Sequence, residues 1–288
     1  MIETTALVKR YGATTAVDGL TITAERGRIT GFLGRNGAGK STTIKMLLGM
    51  LAPTSGEARV LGYRIDDQSV EIRRRVAYVG EDKGLYGYMT VAELIRFTRS
   101  FYADWDAANE ARLLARYELP LGRKVRALSK GMRTKLALLL ALSRRPELLI
   151  LDEPTEGLDP VSVEELLKEL AGRSADGTTT FFSSHQLEDV ARIADDVLVI
   201  ARGKLVLESS LEEVRERYRS VVAGFATDPV ETAFSMPGVR STKVSGRQIA
   251  MLVTSNVDAV VRRAHELGAT SVDVAAVSLR ELFLEHVT

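Results

Sequence analysis

No cysteine occurs anywhere in the 288 residues. That absence excludes disulfides, thiolate nucleophiles and cysteine-ligated zinc, and it fits a reducing compartment. An excess of charge of one sign is missing too, since 39 Lys and Arg stand against 38 Asp and Glu. With no net field the chain has no general means of holding nucleic acid, although a local patch is compatible with the count. Long apolar runs are also absent. The longest, Leu136 to Leu142, falls far short of the roughly eighteen residues that cross a bilayer. Met1 to Tyr11 alternates like a strand and lacks the apolar centre of a signal peptide. If the protein works at a membrane, another chain is expected to provide the crossing. Apolar residues make up 45% of the sequence, enough for one large domain and one smaller one.

The most informative stretch is Gly34-Arg35-Asn36-Gly37-Ala38-Gly39-Lys40-Ser41-Thr42. Before it, Arg28 to Leu33 reads as a buried strand; after it, Ile44, Leu47 and Leu48 recur at helical spacing. A glycine-rich turn between strand and helix curls the backbone N–H groups inward and adds the positive end of the helix, which together cradle an anionic phosphate chain. Lys40 would reach the terminal phosphates and the Ser41 hydroxyl would bind Mg²⁺.

Around this loop the chain reads as α/β. Ile2 to Lys9 and Ala16 to Ala24 alternate as two strands of an edge sheet. Glu57 to Tyr63 and Val76 to Val79 read as strands enclosing a basic segment, Glu71 to Arg75. From Thr90 to Leu142 the period is helical, which predicts an insertion. It ends with Leu128-Ser129-Lys130-Gly131-Met132, a hydroxyl and a glycine at the start of a long helix; locally this is a capped helix and also a second anion-binding terminus. Tyr11, beside Gly12, reads locally as a turn aromatic.

Leu148 to Leu151 is an apolar strand ending in Asp152-Glu153. Ligands of open α/β sheets bind outside the carboxyl ends of the strands, so this pair is expected beside the phosphate loop. Asp152 would hold Mg²⁺, and Glu153 would orient and polarise a water attacking the γ-phosphate. Gly157-Leu158-Asp159-Pro160 turns into a helix. His185 follows the β-rich run Thr178 to Ser183, where it could donate to the same phosphate. His265 and His286 lie in distal helical patterns and carry no such argument.

In this order, these motifs resemble the ATP-binding cassette family over Met1 to about Tyr218. The resemblance implies a P-loop NTPase fold with a RecA-like core, an antiparallel edge sheet and a helical subdomain at about 84–142, forming residues 1–218. It implies ATP and Mg²⁺ as ligands. Tyr11 would stack on adenine, the loop from Gly34 through Asn36, Gly37, Ala38, Gly39, Lys40 and Ser41 to Thr42 would grip the phosphates, and Glu153 would be the catalytic base. Two cassettes would sandwich two nucleotides, so that Ser129 and Gly131 of one close on the γ-phosphate of the other, with Asp159 at the same interface and His185 sensing that phosphate. The partner cassette could be identical or different. Within the family the chain is similar to ATPases of bacterial ABC-2 exporters, which implies membrane permease subunits on separate chains, a place on the cytoplasmic face of the membrane and no nucleic-acid partner. Residues 219–288 read as a small α+β domain, and its closing Ser278 to Phe283 resembles tails thought to be regulatory or dimer-stabilising.

Four positions depart from the family pattern. Glu81 replaces the usual glutamine after the third strand of the core, and a carboxylate can still bind Mg²⁺. Lys130 and Met132 replace a glycine and a glutamine, and Arg35 replaces a proline. A soluble cassette ATPase acting on ribosomes or nucleic acid is the rival expectation. Ser129 follows Lys40 too closely for the long coiled coils of chromosome-maintenance relatives, and the chain has one cassette where translation-factor relatives carry two. A third reading, a regulator with weak hydrolysis, draws on Glu81 and Met132. The loop reading predicts that Lys40→Ala weakens nucleotide binding itself; unchanged ATP affinity by calorimetry would refute the cradle.

Overall fold

Buried and exposed residues alternate in Ile2–Tyr11 (β1) and Thr14–Ala24 (β2), which pair antiparallel with Ile2 opposite Ala24. In the computed structural model, which describes residues 1–229 and 231–287, alternation then stops. Every residue of Ile29–Leu33 (β3) is buried, as a strand covered on both faces requires. The glycine-rich loop follows and opens into Lys40–Leu47 (α1). Ser55–Val60 (β4) and the short Tyr63–Arg64 (β5) complete a sheet of order β2-β1-β4-β5. The single strand expected from Glu57 to Tyr63 is broken because Leu61 turns through the left-handed region at φ 56°. The basic segment is helical, Ser69–Arg75 (α2), and runs into Val76–Val79 (β6).

The insertion consists of Val91–Arg99 (α3), Ala107–Tyr117 (α4) and Lys130–Leu142 (α5). Each begins at a side chain that caps the first free amides: Thr90, Asp106 and Ser129. Leu148–Asp152 (β7), Pro160–Ala175 (α6), Thr179–Ser184 (β8), Leu187–Ile193 (α7), Asp196–Ala201 (β9) and Lys204–Ser210 (β10) follow. They build a second sheet of order β10-β9-β3-β8-β7-β6, in which β3 pairs parallel with β8 and β9, and β7 with β8 and β6. Arg112 of α4 meets Glu169 of α6 at 2.6 Å and ties the insertion to this core. Between the two sheets, the Phe32 and Phe181 rings lie 5.2 Å apart and pack with Ile44, Met46 and Leu47 of α1.

Packing divides the chain into Met1–Glu208 and Ser209–Thr288. The boundary expected at 218/219 lies further along, after Leu211–Arg217 (α8), so that helix belongs to the second unit. There Arg219–Phe225 (β11), Val239–Ser245 (β12), Gln248–Val253 (β13), Val257–Glu266 (α9), Ala269–Ala276 (β14) and Leu279–Val287 (α10) form a small α+β unit. Its antiparallel sheet has the order β12-β13-β11-β14, and Val221, Phe225, Ile249 and Met251 pack with Val260 and Ala264 of α9.

The two phenylalanines predict where stability resides. Phe181→Ala removes a fully buried ring and should lower the unfolding free energy by about 3–5 kcal/mol in urea titrations. A loss below about 1 kcal/mol would show that the sheets do not close on that ring.

Candidate functional site

Parallel pairing brings the carboxyl ends of β3, β8, β7 and β6 to one edge. Leu33 stands opposite Ser184, Asp152 opposite Ser183, and Val79 opposite Leu151. The glycine-rich loop, His185, Glu153 and Glu81 therefore all spring from the same rim. They border a cavity of about 420 Å³. One wall is the loop and first turn of α1, with Arg35, Asn36, Gly37, Gly39, Lys40, Ser41 and Thr42. Glu81, Glu153, Glu156 and His185 form the other, and Ala16 of β2 closes one side.

The loop has little freedom in its residue types. Gly39 sits at φ 108°, and a Cβ there would fall 2.4 Å from the Ala16 carbonyl oxygen, so a side chain would drive β2 away. As the residue before α1 it supplies no side-chain cap, which leaves the first-turn amides for a ligand. Gly34 and Ala38 act through their backbones: the Gly34 oxygen accepts from Lys40 Nζ at 2.7 Å, and the Ala38 amide donates to the Arg35 oxygen at 3.0 Å. Lys40 is buried, and its ammonium also lies 3.4 Å from Glu153 Oε1.

Glu153 is the most constrained residue of the site. Its backbone is left-handed, φ 50°, a conformation that costs energy for a residue with a side chain and persists only where surroundings impose it. Its other carboxylate oxygen, Oε2, lies 2.8 Å from His185 Nδ1 and accepts from the His185 amide at 3.3 Å. With Nδ1 facing the carboxylate, Nε2 is the ring nitrogen left for a ligand. Ser183 of β8, which the sequence reading passed over, joins the two acids: its hydroxyl donates to Asp152 Oδ1 at 2.5 Å and accepts from the Glu153 amide at 3.1 Å. Only the cross-strand register reveals that role.

Negative charge collects at this end of the cavity. Burial, with Asp152, Asp82 and Glu81 nearby, pushes the Tyr78 phenol up to about 12. Ser41 and Glu81 line the cavity, whereas Asp152 is buried outside the lining with Oδ1 taken by Ser183; their hydroxyl and carboxylate oxygens are hard donors of the kind Mg²⁺ takes. Among the described residues no group of three His, Cys, Asp or Glu could hold a metal alone, so such an ion would depend on phosphate and water oxygens as well.

Other expected residues stand outside the cavity lining. Ser129 caps α5 by accepting from the Met132 amide at 3.2 Å, and Gly131 packs against the Gly157 carbonyl. Asp159 caps α6, where hydrogen bonds from the Ser162 hydroxyl and amide hold its carboxyl below the usual range. Tyr11 is half exposed, and its ring carries the Lys9 ammonium 5.2 Å from the centroid. Glu156 was not foreseen, although it lines the cavity and pairs with Lys130 at 2.5 Å.

A family model described as ABC transporter matches residues 17–156. The bacitracin transport ATP-binding protein BcrA of Bacillus licheniformis is 37% identical over 222 residues, covering 76% of this chain and 72% of that protein. The daunorubicin/doxorubicin resistance ATP-binding protein DrrA of Streptomyces peucetius is 36% identical over 229 residues, covering 77% and 68%. Among solved structures, the ATP-binding subunit of an ABC transporter superposes with a TM-score of 0.69 at 32% identity, covering 75% of this chain and 92% of that one. A dimeric bacterial ABC transporter cassette, 23% identical, shares the fold with a TM-score of 0.67 over 73% of this chain and 99% of that one.

The Ser183 bridge makes its own prediction. Ser183→Ala strands one oxygen of Asp152 in a buried site and leaves the Glu153 amide only its 3.3 Å bond to the Ser183 carbonyl oxygen, and should lower stability by about 1–3 kcal/mol in urea unfolding. Ser183→Thr keeps the hydroxyl and should lose less; equal losses would mean the bridge is not what the site relies on.

Proposed function

The chain belongs to the ABC transporter family, as an ATP-binding subunit with ATPase activity, and on that premise we propose that it powers a membrane exporter by closing with a second cassette around Mg²⁺ and ATP. The observation that carries the reading is the placement of Glu153, held between Lys40 and His185 at the rim of the loop cavity. Lys40 divides its ammonium between the Gly34 oxygen and Glu153. Terminal phosphates entering the loop compete for that ammonium, and as Lys40 turns to them Glu153 Oε1 is released to take a proton from a water. His185 keeps the other oxygen of the carboxylate in place through Nδ1 and offers Nε2 to the γ-phosphate. Ser41, Asp152 and Glu81 would hold Mg²⁺, which offsets phosphate charge when bound.

Ser129, Gly131 and Asp159 lie outside this chain's own cavity, as residues that complete the site of a second cassette would. The second cassette is a copy of this chain or a relative. Tyr11 is left as the adenine platform once its ring exchanges Lys9 for the base. No described helix is long and apolar enough to cross a membrane, so the reading places permease subunits on other chains and this one at the inner membrane face. On the insertion, Tyr88, Tyr86, Phe97 and Phe101 form an exposed row with successive ring centroids 5.9, 5.6 and 5.0 Å apart. Exposed aromatic surface of this extent marks a protein contact, and we assign it to a membrane subunit. The relatives named above are transport and drug-resistance subunits, which favours transport over ribosome or nucleic-acid remodelling.

Replacing the proposed base tests the chemistry. Glu153→Gln should slow phosphate release by about 10²- to 10⁴-fold while ATP still binds. Turnover at the parent rate would mean that another group activates the water.

A further inference from the structure

The ion pair between Lys130 and Glu156 joins two parts of the chain that the function keeps separate. Lys130 is the first residue of α5, directly after Ser129, and Glu156 lies in the turn that follows Glu153. A lysine at the first helical position opposes the positive end of the helix dipole, and the first turn of α5 contains no acidic residue to offset it. Glu156 supplies that acid from elsewhere in the chain, with Oε1 2.5 Å from Lys130 Nζ.

The contact is more than two charged tips meeting. A Cβ on Gly157 would fall 2.8 Å from Lys130 Cδ and 2.9 Å from Cγ, so the lysine stem lies flat over that glycine, which itself sits at φ 79°. A Cβ on Gly131 would fall 2.9 Å from the Gly157 carbonyl oxygen, so the backbones approach closely as well. At the other end, the Glu156 amide donates to the Glu153 carbonyl at 3.3 Å, which ties the turn to the backbone of Glu153. Lys83, whose buried ammonium has no hydrogen-bond partner among the described residues, adds positive field at Glu156.

We propose that Glu156 is a positioning residue that, through Lys130, sets Ser129 and Gly131 at a fixed station relative to Glu153, so that what the chain presents to a second cassette's nucleotide follows the state of its own site. The inference rests on the paired-cassette reading above. Partly exposed ion pairs add little to stability, so the effect belongs to geometry and is read in assembly. The arrangement gives each nucleotide site a mechanical connection to the other: Glu153, the turn through Glu156 and Gly157, the Lys130 stem, and then Ser129.

The test uses the full chain carrying Glu153→Gln, with Mg²⁺ and ATP at saturation, and measures the protein concentration that gives half dimer by analytical ultracentrifugation. Glu156→Gln and Lys130→Met should each raise that concentration about tenfold, and the double variant should be no worse than the weaker single, because both remove one interaction. Lys130→Arg, which keeps the charge, should restore most of the loss. The opposite sign for Glu156→Gln, tighter dimers, would mean that Lys130 acts on phosphate directly and Glu156 only dampens it, which overturns the inference. Unchanged dimerisation in both singles, or fully additive losses in the double, would overturn it too. A Glu153→Gln parent that stays monomeric with ATP overturns the paired-cassette reading and the inference with it.

Discussion

The site depends on one buried ammonium with two claims on it. Lys40 Nζ satisfies the Gly34 carbonyl at 2.7 Å and stands 3.4 Å from Glu153, so the loop is bound to its own lysine and the carboxylate is drawn toward it. A buried charge needs partners, and here the partners are parts that a phosphate chain would displace or release. On the proposed reading, ligand binding and the freeing of Glu153 would be a single exchange. The left-handed backbone at Glu153 and the Ser183 hydroxyl beneath it keep the carboxylate aimed while that exchange takes place.

Sheet geometry makes the exchange possible. β8 separates β3 from β7, so the strand carrying the loop and the strand carrying the two acids are one strand apart, with His185 emerging between them. Because all of these strands run parallel, their carboxyl ends meet without any residue being pulled from its regular register. Antiparallel neighbours would have sent the acids to the opposite edge.

Much of this was legible because the reacting groups sit in short motifs. The run Gly34 to Thr42 specifies strand, turn and helix within nine positions, and Leu148 to Glu153 specifies a buried strand and what it ends in. α4, Ala107–Tyr117, lies within the Thr90 to Leu142 stretch whose helical period marks it. Where the reading went astray, the deciding interaction lay outside the local sequence. Leu61 carries no turn signal of its own beyond the following Gly62, yet it breaks the strand predicted across it. α2 is too short and too basic to declare a period, so its sequence shows only a basic segment. Ser183 and Glu156 were invisible because their partners, Asp152 and Lys130, lie 31 and 26 positions away and are brought to them by packing alone.

Whether ATP hydrolysis by this chain serves a membrane partner is tested most directly in the cell it comes from. The Glu153→Gln variant would be trapped with ATP, solubilised gently, and its companions identified by mass spectrometry. A polytopic membrane protein at stoichiometric yield is expected. Ribosomes or DNA-bound proteins, with nothing from the membrane, would contradict it.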